Sequence, residues 1–395
     1  MIEFDEKPNQ LGTNIKIIGV GGAGGNAINT MIRNDLHDVE FIAANTDFGD
    51  LQKSLAKMKL QLGKKLTRGL GTGANPETGS RSAEESKDEI KAHLEGADMV
   101  FLAAGMGGGT GTGATPIIAK IAREMGILTL GIVTTPFPFE GEKRAENAEY
   151  GIRHLSEYVD TLIVIPNEKL CEIYGNSTII NAFQNADNIL YEAAKAVSDI
   201  ITITGLINVD FADVKAVMQN SGYALMGTGV AEGENRAINA ARAAINNPLL
   251  SDISLAGCKS LLLNIIGGED ILMNETDEVS NVIVNETGTG ANIFMGLIID
   301  ENMTGKISVT IIATGLEKCS QTDILKFPNF NSQNQNELGI KNKDDDRDEI
   351  SSIMRNLGIN TQSSNKDKPD FASSEDSSRI KPMRTDVPSF LKALD

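Results

Sequence analysis

Seven consecutive residues, Gly107 to Gly113 (GGGTGTG), comprise five glycines and two threonines. Such a run packs poorly and is costly in chain entropy. It suits a chain that must wrap backbone N–H groups around an anion, because successive amides without Cβ atoms converge into a concave nest. Thr110 and Thr112 add hydroxyls for phosphate or a hydrated cation. A strand-like segment, Met99 to Ala104, precedes the run, and the periodicity predicts a helix over Thr115 to Met125. The nest would therefore sit near a helix N-terminus, where the dipole favours negative charge. A second glycine turn, Gly19 to Gly25 (GVGGAGG), lies between the strand-like 14–20 and a helix predicted over Asn26 to Arg33. Gly19-x-Gly21-x-x-Gly24 matches the dinucleotide-binding pattern, with Asp47 at about the distance of a ribose-binding acid. Taken alone, an ordinary glycine turn explains it as well. A third loop, GLGTGANP (69–76), could line the same mouth, and the absence of GxxxxGK[ST] excludes a P-loop.

A different chemistry is offered by NVDFADV (208–214). Asp210 and Asp213 are three residues apart and share one face of a helical first turn. Aspartates there also cap helices, so capping and catalysis both fit.

These residues need elements to hold them. Strand-like 14–20, Val39 to Ala44, Met99 to Ala104 and Leu128 to Val133 alternate with helical segments. That order argues an α/β fold with a parallel sheet covered on both faces, and all the glycine loops fall at the carboxyl ends of its strands, where such sheets bind ligands. A long helix is predicted over Thr178 to Thr204, with Gly205 as its stop. A second α/β block follows, ending in three strand-like segments, SLLLNIIG, ANIFMGLII and ISVTIIATG. After Glu317 the composition turns to Asn, Gln, Ser, Asp and Lys, which predicts a disordered linker. Within it, Ile350, Ile353, Met354 and Leu357 have helical spacing but form too short a helix to stand alone. Near the end, Val387, Phe390, Leu391 and Leu394 repeat as i, i+3, i+4, i+7, the pattern of a peptide that docks in a groove.

Composition narrows the function. The net charge of −18 argues against an electrostatic hold on nucleic acid. Three scattered cysteines, Cys171, Cys258 and Cys319, give neither a disulfide framework nor zinc spacing and fit a reducing cytosol. No apolar stretch reaches the roughly 18 residues of a membrane helix, and the N-terminus lacks a signal-peptide core, so a soluble protein without direct membrane insertion is expected.

Taken together, GVGGAGGNA, NTD (45–47), GLGTGANPETG, GGGTGTG, PFPFEGEKR (136–144), IPNEKL (165–170), NVDFADV and DVPSFLK occur in the order of the tubulin/FtsZ family. The chain resembles the bacterial cell-division GTPases of that family over residues 14 to about 318 and again at the C-terminal peptide. The resemblance implies a Rossmann-like GTPase domain with a parallel sheet, a long central helix, a smaller α/β domain and a disordered tail. It divides the chain into an N-terminal extension (1–13), GTP-binding domain (14–177), central helix (178–204), C-terminal α/β domain (205–316), linker (317–380) and partner-binding peptide (381–395). It implies that Gly21, Gly22, Ala23, Gly24, Gly25 and Asn26, with Gly108, Gly109, Thr110 and Gly111, hold the phosphates. Glu140 and Arg144 would lie by the ribose and phosphates, Asn167 and Asp187 by the guanine. Asp210 and Asp213, with Asn208 beside them, would activate water. An ordinary i, i+4 ion pair also fits Glu140 and Arg144. Thr72, Thr135, Phe48 and Gly49 depart from the family's habit, Thr72 standing for a common alanine.

The implied chemistry is conversion of GTP to GDP and phosphate with Mg²⁺ on the phosphates, since two carboxylates would otherwise repel the triphosphate. If Asp187 touches the base, helix as far as Thr204 carries the acids about 25 Å away. They would then act on a nucleotide held by the next subunit, and head-to-tail contacts of this kind build open filaments. Expected partners are other copies of the chain and, through Val387, Phe390 and Leu391, membrane-anchor and regulatory division proteins at a cytoplasmic mid-cell ring. Two other readings compete: a dinucleotide-dependent oxidoreductase, resting on Gly19 to Gly24 and Asp47, and a scaffold that assembles without hydrolysis.

Overall fold

Ile15–Val20 and Leu128–Thr134 are buried along their whole length, and Met99–Gly105 along all but its last residue. Strands covered on both faces read as unbroken apolar runs, as these do. In the computed structural model, which describes residues 12–175, 177–203, 205–250, 255–288 and 290–316, they form the middle of one sheet. Its strands are β1 (Ile15–Val20), β2 (Val39–Asn45), β3 (Met58–Gln61), β4 (Met99–Gly105), β5 (Leu128–Thr134), β6 (Thr161–Ile165), β7 (Gly222–Glu232), β8 (Ser260–Gly267), β9 (Asn292–Ile299) and β10 (Lys306–Thr314). Their spatial order is β3-β2-β1-β4-β5-β6-β7-β10-β8-β9. Pairings from β3 through β7 are parallel, β10 runs antiparallel between β7 and β8, and β9 returns parallel to β8.

Alternation along the strands sends side chains to two cores. Ile15 and Ile17 of β1 meet Phe101, Ile132, Ala193 and Val197 on one face. Ile18 and Val20 meet Leu102, Ile118 and Leu155 on the other. The first core is roofed by the helices Gly21–Arg33 and Ile179–Thr202, the second by Thr110–Glu124 and Glu142–Ser156. A third core, including Ala240, Leu263, Ile283 and Val309, packs helices on the C-terminal strands.

Three expectations need correction. Both loop-following helices begin five residues early, at Gly21 instead of Asn26 and at Thr110 instead of Thr115. The glycines expected to form loops ahead of the helices instead form the first helical turns, because packing outweighs the propensity cost of about 1 kcal/mol each. The central helix is capped by the Thr178 hydroxyl, which accepts the Asn181 N–H, and it ends at Thr202. Gly205 is not its stop, since Ile203 is the C-cap in extended backbone. Gly205 instead lies so near the Leu297 carbonyl that a Cβ would come within 2.2 Å of its oxygen. The linker, its short helical stretch and the terminal peptide fall outside the described residues. Among the described residues no helix is long and apolar enough to cross a membrane.

Candidate nucleotide-binding site

A cleft of about 310 Å³ opens over the carboxyl ends of β1, β4, β5 and β6. Gly22 and Ala23 border it after β1, Met106 and Gly108 to Gly111 after β4, and Thr135, Pro136, Glu140 and Arg144 after β5. Asn167 closes it after β6, and the central helix contributes Phe183, Asp187 and Leu190. Ten of the residues expected to hold the nucleotide therefore meet on one surface. Gly21, Gly24, Gly25 and Asn26 lie outside that lining.

Two glycines of the runs have packing roles. A Cβ on Gly24 would fall 2.3 Å from the Ala103 carbonyl oxygen, so its absence lets the first helix lie against β4. One on Gly113 would fall 1.9 Å from the Pro76 carbonyl oxygen, where the helix Pro76–Glu85 crosses Thr110–Glu124. The two threonines also separate. Thr112 is buried and its hydroxyl accepts the Gly107 N–H at 2.9 Å, so it is committed to the loop and not to a ligand. Thr110 borders the cleft, with its hydroxyl 2.7 Å from that of Thr46.

Polar groups at the β6 end await a partner. Asn167 is only 5% exposed, and its Oδ1 has no hydrogen-bond partner among the described residues. A buried amide oxygen left unpaired costs on the order of 1–3 kcal/mol, which a ligand donor would recover. Nearby on the same lining, burial pushes the Asp187 carboxyl up to about 7, only partly offset by the positive charge of Arg33. Glu140 accepts the Phe137 N–H at 2.9 Å and pairs with Arg144, so the ion pair expected from their spacing is present and faces the cleft. Beside it, Phe137, Phe139 and Phe183 form an aromatic cluster, Phe137 stacked on Phe139 at 5.2 Å and edge-on to Phe183 at 5.1 Å. Sequence spacing gave no sign of this cluster, because Phe183 comes from a distant helix.

Asp47 does not border the cleft. It caps the helix Phe48–Lys53 by accepting the Asp50 N–H, which removes the ribose acid on which the oxidoreductase reading depended.

The acidic loop sits elsewhere. Asp210 is the N-cap of the helix Phe211–Met218 and accepts the Asp213 N–H, while the Asn208 Oδ1 accepts the Gly205 N–H at 2.6 Å. None of the three borders the cleft. Fifteen residues of helix separate Asp187 from Thr202, about 22 Å at 1.5 Å per residue.

Residues 14–175 match the GTPase domain of the tubulin/FtsZ family, and residues 222–317 match the C-terminal domain of the FtsZ family. The chain belongs to the tubulin/FtsZ family. It is accordingly a GTPase. An FtsZ dimer from M. jannaschii, described as empty, is 43% identical, with 80% of this chain and 92% of that one covered at a TM-score of 0.76. A GTPγS-bound CetZ2 protofilament from Haloferax volcanii shares the fold at 22% identity and a TM-score of 0.68, covering 79% of this chain and 96% of that one.

Proposed function

We propose that this GTPase polymerises head to tail into the filaments of a bacterial division ring, and that its active site is completed only between subunits. The observation that carries this reading is the separation of the cleft from Asp210 and Asp213 by the central helix. Gly22, Ala23 and Gly108 to Gly111 hold phosphates at the helix N-termini. Asp187 accepts from guanine and Asn167 pairs with the base, while Glu140 and Arg144 fix the ribose side. Asp210 and Asp213 of the next subunit then orient the attacking water. Among the described residues no three His, Cys, Asp or Glu converge to cage a metal. A Mg²⁺ would accordingly be held by phosphate oxygens and water, where it would neutralise developing charge.

Exposed apolar side chains support the assembly. Phe139 is 61% exposed next to Phe183 of the cleft lining, and Leu206 is 71% exposed two residues before the acidic loop. Isolated apolar residues are common on surfaces, but these flank the two surfaces that a head-to-tail contact would join. The dimer formed by the 43% identical relative agrees with self-association.

The decisive experiment mixes two inactive variants. Asp210→Ala keeps its own nucleotide cleft but lacks the acid, whereas Gly109→Ser keeps the acid and damages the cleft. Mixed filaments should regain part of the phosphate release that each lacks alone, with light scattering reporting assembly in parallel. Full turnover in a strictly monomeric preparation would sink the shared site.

The terminal peptide is proposed to dock, through Val387, Phe390 and Leu391, in grooves of membrane-anchor and regulatory proteins. Its support is the i, i+3, i+4 pattern and the family resemblance. Removing 386–395 should spare GTPase activity and lose recruitment to the mid-cell membrane.

A further inference from the structure

The loop that carries the acids is pinned to the C-terminal strands. The central helix ends at Thr202, and Gly205 to Ile207 lie against β9, an edge strand of the sheet. The Leu206 N–H donates to the Leu297 carbonyl at 2.9 Å, and the Leu297 N–H donates to the Ile207 carbonyl at 3.0 Å. Loop and strand run antiparallel at this single bridge. Leu297 is itself held in register with Ile265 of β8. Where the loop sits is therefore set by the C-terminal sheet as well as by the helix before it.

Gly205 lets the bridge close. A Cβ there would fall 2.2 Å from the Leu297 carbonyl oxygen and 3.0 Å from its carbon. Both atoms belong to a paired backbone and cannot turn aside as a side chain would. The backbone of Gly205 is not left-handed, so the position demands space and not a special conformation. A larger residue would have to lift the loop by about 1 Å to reach the roughly 3.3 Å of an ordinary carbon–oxygen contact.

Such a shift would pass along the loop. The Gly205 N–H donates to the Asn208 Oδ1 at 2.6 Å, so Asn208 moves with it. Val209, only 6% exposed, is set into the first core and keeps the following helix seated. Asp210, the N-cap of that helix, comes directly after these two residues.

We propose that Gly205 is a positioning residue of the reaction: by letting the loop rest on the Leu297 carbonyl, it sets the reach of Asp210 and Asp213 toward the nucleotide of the next subunit. This rests on the reading of the active site as shared between subunits.

The test is Gly205→Ala in the full chain, with phosphate release measured well above the protein concentration at which filaments form. A displacement of about 1 Å costs on the order of a hundredfold when it misplaces reacting groups. Gly205→Ala should therefore lose roughly ten- to hundredfold in kcat, while KM and GTP affinity stay within about twofold. Mixing then separates positioning from general damage. With Gly109→Ser, which brings well-placed acids, Gly205→Ala should regain phosphate release because its own cleft is intact. With Asp210→Ala it should regain none, since neither subunit then supplies a working acid loop. Parental turnover in Gly205→Ala, recovery with Asp210→Ala, or recovery with neither partner would overturn the assignment, provided that Asp210→Ala and Gly109→Ser complement each other. Failure of that control pair would instead overturn the shared site and this inference with it. Should Gly205→Ala not fold, amide hydrogen exchange on the parent chain decides. The Leu206 and Leu297 amides should then be protected to a similar degree, because both are released when the loop leaves β9. An unprotected Leu206 amide beside a protected Leu297 would overturn the proposal.

Discussion

The Oδ1 of Asp210 accepts the backbone N–H of Asp213 at 2.8 Å. One carboxylate thus closes the first turn of a helix and orients the second. Capping and catalysis are compatible here, since capping holds both acids on an exposed turn while one Asp210 oxygen remains outside that hydrogen bond.

Substitutions at Asp210 should separate those roles. Asparagine caps helices about as well as aspartate, whereas alanine forfeits about 1 kcal/mol. Asp210→Asn should therefore keep the melting temperature and lose most phosphate release. Asp210→Ala should lose both. Retention of turnover by Asp210→Asn at parental levels would assign the residue to capping alone.

Asp187 gives the site a pH dependence. Its folded-state pKa is raised by burial to about 7, so falling pH protonates it in the empty cleft. Guanine donors require the carboxylate. The apparent Kd for GTP should therefore rise below pH 7, approaching about tenfold per pH unit as the competent fraction falls. Titrations between pH 5.5 and 8 check the slope, and Asp187→Asn should abolish it while binding weakly throughout. Stability moves oppositely. A raised carboxyl pKa contributes stability that is full below the unfolded value near 4 and lost as pH rises through about 7. In the nucleotide-free protein, Asp187→Asn should raise the melting temperature at pH 8 and leave it unchanged at pH 4.

How legible the chain was depended on how local each relationship is. β1, β4, β5 and the loops after them were plain, because unbroken apolar runs and dense glycine are local properties. β7 was not legible, since Gly222–Glu232 has only a short apolar run and carries three glycines that suggest turns. Helix starts were placed late for the same reason. Thr46, which fixes Thr110, lies 64 residues from it, and only the fold brings the two hydroxyls together. The aromatic cluster was hidden similarly. Which glycines serve packing and which face ligand was also beyond reach, because that depends on what approaches the missing Cβ.

That division of glycines can be tested directly. Gly108 has open space where a Cβ would sit, whereas Gly113 meets the Pro76 carbonyl oxygen at 1.9 Å. Gly113→Ala should cost about 1–3 kcal/mol by forcing two helices apart, the usual range for overpacking. Gly108→Ala should leave the melting temperature close to that of the parent and weaken GTP binding, because the added methyl projects toward the cleft. Thermal melts and nucleotide titrations on both variants decide it, and a destabilised Gly108→Ala would contradict the assignment.

Phe139 offers the sharpest test of assembly. Its ring stacks on the buried Phe137 yet remains 61% exposed, and it does not border the cleft. Phe139→Ala should lose the stacking contact, about 1 kcal/mol, and keep nucleotide affinity within about twofold. If the ring anchors the next subunit, removing it costs about 2 kcal/mol or more of interface energy, the scale of a hot spot. The critical concentration for light scattering would then rise by more than about tenfold. Turnover would fall with it at low protein concentration, because each cleft waits for the acids of a neighbour. Raising the protein concentration should restore turnover per subunit toward the parental value, since filaments once formed place Asp210 and Asp213 as before. A loss of turnover that persists unchanged at high concentration, with nucleotide still bound, would mean that Phe139 acts within its own subunit and not at the interface.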